Sequence, residues 1–159
     1  MTDKNIERHS ALGIYHYAED FHRAAVHMAE VQENGGLRLR FGDTVSYHLH
    51  MHSIELALKA FLRANGTTND QLKRLYSHNL TTLLEKCTEY GISLGDNKKH
   101  TELVVSWLNQ HGKAQTFRYF ESGYLKLLSI LDVRTSNERI LAVVKPICLS
   151  QETNITNER

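Results

Sequence analysis

Between Asp43 and Asn65-Gly66 the chain reads as one helix with apolar residues at almost every angle. At 100° per residue Leu49, Ser53, Ile54, Leu56, Ala57, Leu58, Ala60, Phe61 and Leu62 cover most of the circumference. Such a helix has to be central, because only neighbours on all sides hide that much surface. One Pro in 159 residues, little strict alternation and long stretches of helical periodicity extend the reading to an all-α chain.

Four further helical segments surround it. The first runs from Glu7 or Ser10 to Glu33, with Ile14, Tyr17, Ala18, Phe21, Ala24, Ala25 and Met28 on one face, and stops at Asn34-Gly35-Gly36. A linker over Thr67–Tyr76 follows the central helix. The third helix starts at Ser77 or His78 and carries Leu80, Leu83, Leu84 and Cys87 inward to a stop at Gly91. The fourth, Asn97 to His111, turns Leu103, Val104, Trp107 and Leu108 inward and ends at Gly112. The run TFRYFESGYLKLLSI reads as extended or irregular. A capping box from Thr135 to Glu138 opens the last helix, in which Pro146 predicts a kink or an early end. Residues 1–152 form one domain on this reading, and 153–159 a disordered tail.

The charge balance limits function. Nineteen Lys and Arg oppose eighteen Asp and Glu, a net charge of +1, which excludes nucleic-acid binding that relies on whole-molecule charge. A polar N-terminus and the lack of a long apolar run predict a cytoplasmic protein with no membrane contact. Cys87 and Cys148 are too few for a disulfide framework or thiolate metal site and are expected buried and reduced. The central helix has more apolar circumference than the other helices of one chain are expected to cover, which predicts a homodimer.

What the apolar surface of the central helix leaves over is a narrow stripe: His48, His52, Glu55, Lys59 and Arg63 fall within about 80° of one another. Flanked by other helices, the stripe becomes a groove for a ligand; on open surface it is a row of weak ion pairs. Lys73 and Arg74, just ahead of His78 at an expected helix N-terminus, form a second candidate, suited to an anion such as phosphate. Arg118, between Phe117 and Tyr119, joins a planar cation to aromatic faces in a way that suits a nucleotide base or single-stranded RNA. Each has a purely structural alternative: a solvated strip, a helix cap, a core aromatic pair. His48 and His52, four apart, and the single Glu19-x-x-His22 spacing do not amount to a di-metal pattern, so no metal and no cofactor is expected.

The run SIELALKAFLRANG, the following HNLTTLLEKC and the later FRYFESGY resemble the HEPN superfamily of small helical proteins. The resemblance covers about half of the chain. It implies an up-and-down helical bundle, dimerisation through helices, and RNA cleavage or nucleotide binding in bacterial defence and toxin-antitoxin modules, where a nucleotidyltransferase is a possible partner. Nuclease members carry an Arg followed four to six residues later by His at the start of a late helix. That arrangement is missing here: Arg23 and His27, like Arg74 and His78, have only three residues between them, and no His follows His111. The resemblance therefore implies a non-nuclease member that binds RNA, a nucleotide or a protein partner. The alternatives are an interaction module without nucleic acid, or an atypical metal-independent ribonuclease with His78 or His52 as acid/base and Arg74 or Arg118 as the cation.

Overall fold

A computed structural model describes residues 10–40, 42–113 and 128–157, all of whose regular structure is helical. Helix α1 (Ala11–Glu33) begins where Ser10 Oγ accepts a hydrogen bond from Gly13 N at 3.0 Å. Helix α2 (Gly42–Ala64) is the central element and packs against every other α-helix of the described residues. Ile54, Ala57, Leu58, Ala60, Phe61 and Leu62 are each no more than 2% exposed. A single chain covers them, so the argument from uncovered surface to a second copy fails.

The segment expected as a linker contains helix α3 (Asn69–Tyr76). Its signal is a capping box: Gln71 N donates to Thr68 Oγ1 at 3.2 Å and Thr68 N to Gln71 Oε1 at 2.9 Å. One turn apart, Leu72 and Tyr76 anchor it in the core. Helix α4 (Leu80–Glu89) starts later than expected, because Asn79 is its cap, accepting from Thr82 N at 3.2 Å. Removing that cap in Asn79→Ala is expected to lower stability by about 1 kcal/mol, read from urea unfolding.

A short 3₁₀ turn, Gly95–Asn97, leads into α5 (Lys98–Lys113). Gly112, expected as a stop, lies inside this helix. A Cβ there would come within 2.7 Å of Met51 Sδ, so the glycine serves a close approach of α5 to α2. Thr101, Val104, Val105 and Leu108 form the buried face of α5, which leaves Leu103, expected inward, 69% exposed. Tyr17 is likewise turned outward, since the buried line of α1 runs through Tyr15, Ala18 and Ala25.

Helix α6 (Ile130–Asn157) begins before the expected capping box. Ser129 Oγ accepts from Leu131 N at 3.2 Å, while Thr135 Oγ1 donates back to Leu131 O at 2.7 Å and caps nothing. Pro146 does not end the helix: it occupies an exposed position, and the helix continues to Asn157, into the 153–159 segment expected as a disordered tail. Helices α1, α2 and α6 pack together, and α4 and α5 adjoin each other against α2. Cys87 and Cys148 are buried free thiols, the first donating to Leu58 O at 3.5 Å. No described helix is long and apolar enough to cross a membrane.

Candidate functional site

Four of the singled-out residues converge. Glu55 sits in the middle of α2 with its side chain only 5% exposed, and a carboxylate so placed needs partners. Lys59, one turn on, supplies the closest, its Nζ donating to Oε1 at 2.6 Å. His78 approaches from the turn between α3 and α4, with Nδ1 3.1 Å from both carboxylate oxygens. His52 completes the group, its Nδ1 3.9 Å from Oε2.

The two histidines differ in setting. Burial holds His52 below the ordinary imidazole value; Glu55 opposes that shift, while His48, Lys59 and His78 add to it. His78 is 75% exposed although its Nδ1 edge is pinned by Glu55, so the opposite, Nε2 edge faces outward. Its predecessor Ser77 has φ 20° and ψ −131°, a conformation that L residues rarely adopt. Strain of this kind persists where surrounding contacts over-determine the backbone, and here it coincides with the residue that swings His78 onto Glu55. An aromatic row adjoins the cluster: Phe21 meets the His52 ring edge-on at 4.5 Å, and Tyr17, 62% exposed, meets Phe21 at 5.7 Å.

The other candidates fare differently. His48 and Arg63 extend the stripe by a turn at either end and are partly buried. Lys73 and Arg74 lie in the last turn of α3, exposed, and not at a helix N-terminus. Nor does the N-terminus of α4 offer an anion site of the expected kind. Leu80 N donates to Asn109 Oδ1 at 2.9 Å and Thr82 N to Asn79, so carboxamides already occupy those donors. Arg118 and Tyr119, with Phe117, lie outside the described residues. Glu19 and His22 part company, Glu19 reaching Tyr15 and Lys145 while His22 reaches Asn137 and Glu138. Among the described residues no three metal-ligating His, Cys, Asp or Glu side chains assemble.

A second polar group went unread in the sequence. His50, on the side of α2 away from the stripe, is 2% exposed. It meets Asn137 of α6, itself fully buried, together with His22 of α1 and Ser53. The available signal was polar types, His50 and Ser53, three apart on a helix face that must be buried.

Comparison with protein-family models, with curated proteins and with solved structures finds no match to this chain.

Proposed function

We propose that the chain is a HEPN-like, non-nuclease helical protein of the bacterial cytoplasm that binds RNA or a nucleotide beside Glu55. One observation carries this: His78 is fixed by a buried carboxylate with its free edge outward, next to Lys59 and a row of accessible aromatic rings. A phosphate oxygen suits the outward imidazole edge beside Lys59, and a base suits the rings. Glu55 gains a second purpose in this reading, holding His78 and Lys59 in place before the ligand arrives.

The test is binding of a labelled single-stranded oligoribonucleotide and of ATP at several salt concentrations. RNA affinity is expected to fall with a log–log slope of about −0.7 for each phosphate neutralised. His78→Ala, a change at an exposed position, is expected to weaken binding about tenfold, about 1.4 kcal/mol, in a protein that stays folded because Lys59 still pairs Glu55. Neither ligand binding at low salt would reject the reading. Salt-insensitive capture of a single protein, such as a nucleotidyltransferase, would then identify an interaction module.

The Glu55–His78 hydrogen bond also favours a second reading, a metal-independent ribonuclease in which Glu55 orients His78 for proton transfer. Cleavage of RNA in the presence of chelator, abolished in His78→Ala, is its expected result; intact RNA at high protein concentration excludes it.

A further inference from the structure

The three helices α1, α2 and α6 meet at one side-chain amide. Asn137 Nδ2 of α6 lies 3.1 Å from His50 Nδ1 of α2 and 3.3 Å from His22 Nδ1 of α1. The amide thus faces the Nδ1 atoms of both imidazoles at once. On the other side the Asn137 amide lies 3.1 Å from Ser53 Oγ, whose single hydrogen goes to Ala18 O of α1 at 2.6 Å. Asn137 and Ser53 are wholly buried, and the two rings lie 5.4 Å apart.

We propose that His22, His50 and Asn137 form a proton-operated clasp, closed at neutral pH and opened by acid, which holds α1 against α2 and α6. Protonation places a charge at this buried junction, 5.4 Å from a second imidazole and against an amide that carries none to offset it.

The groups facing the rings offset the charge only in part. Glu138 Oε1 of α6 is 3.6 Å from His22 Nε2 but also accepts from Arg134 Nε at 2.9 Å. Glu19 of α1 is engaged by Tyr15 and, at 3.8 Å, by Lys145. Arg134 opposes protonation of both rings and His22 that of His50, while Glu138 favours it at both and Glu19 at His22. Burial, first, and these cations push His50 down to about 4, and burial lowers His22 as well.

The clasp adjoins the candidate site through one peptide bond. Phe21, next to His22 on α1, packs on the His52 ring, and His52 faces Glu55. Release of α1 would uncover that flank of the cluster; this consequence rests on the ligand-binding reading, whereas the clasp itself does not.

The sign follows from linkage. His50 released by opening returns to the ordinary imidazole value near 6.5, whereas held closed it lies at about 4. At pH 7.5 almost none of either form has taken up a proton and the clasp is stable; the open form begins to as the pH nears 6.5. Below that only the open form does, so opening grows more favourable until about pH 4, where it levels off. Between pH 7.5 and 5 the open population of α1 is expected to rise about 30-fold for His50 alone.

Amide hydrogen exchange of α1, corrected for intrinsic rates at each pH, reads this directly, with α4 as internal control. The expected result is a selective rise in α1, absent from a folded His22→Gln/His50→Gln double variant. If that variant does not fold, the wild-type histidine resonances decide: two titrating below 6.5 together with α1 amide shifts are expected. Equal change in α1 and α4, an unaltered pH response in the variant, or ordinary titration of both histidines would overturn the clasp. RNA binding is scored separately at pH 7.5. Its absence there rejects the ligand-binding reading and leaves the exchange result standing.

Discussion

Replacing Lys59 by Met is expected to lower stability by about 3 kcal/mol, because it leaves Glu55 as a buried carboxylate whose remaining partners are imidazoles. The Lys59–Glu55 contact is 2.6 Å long and both side chains are largely shielded, at 16% and 5% exposure, unlike an open surface pair. Glu55→Gln is expected to cost less, since the amide keeps an acceptor for Lys59 and the lost charge no longer needs burial. The Glu55→Leu/Lys59→Met double variant should recover most of the loss, since a well-packed apolar pair asks for no desolvation of charge. Urea unfolding of Lys59→Met, Glu55→Leu and their combination forms a double-mutant cycle. Additive costs would mean that the pair is not coupled and that the cluster is solvated.

Phe61→Ala is expected to have the largest effect of any single change in α2, about 3–5 kcal/mol. Phe61 is 2% exposed in the helix that every other α-helix of the described residues touches, so no neighbour can collapse into the space without releasing another. Against a total stability of about 5–15 kcal/mol, the variant approaches the limit of folding at 37 °C. Leu103→Ala is the control. Its position on α5 looked apolar and inward from periodicity alone, yet it is 69% exposed, and its truncation is expected to stay within about 0.5 kcal/mol. A large loss there with a small one at Phe61 would contradict the packing described above.

These two leucine and phenylalanine positions show how far periodicity reaches. The central helix and its apolar residues were legible because nearly every turn repeats the same demand for burial. The faces of α4 and α6 were legible for the same reason. Where the apolar pattern was sparse, as on α5, periodicity did not fix the buried face, and packing against α4, α6 and α2 chose it. Helix α3 was missed because it has eight residues and few apolar ones; its capping box was the overlooked signal. The N-terminus of α4 was misread for want of Asn109, which comes from a helix twenty-nine residues later and occupies a donor that an anion was expected to take.

Of the candidate site, the line of His52, Glu55 and Lys59 was readable because residues three and four apart on one helix are neighbours by geometry. That His78 joins them follows from the turn at Ser77, and that Phe21 closes one side follows from the packing of α1; neither is written in local spacing. The burial of His50 against His22 and Asn137 depends on residues more than eighty positions apart meeting in space. Helical character and the centrality of one helix were thus settled along the chain, since both arise from contacts between near neighbours and from total apolar area. Which polar groups share a partner was settled only by folding, because a hydrogen bond is directional and its two ends need have no fixed separation in sequence.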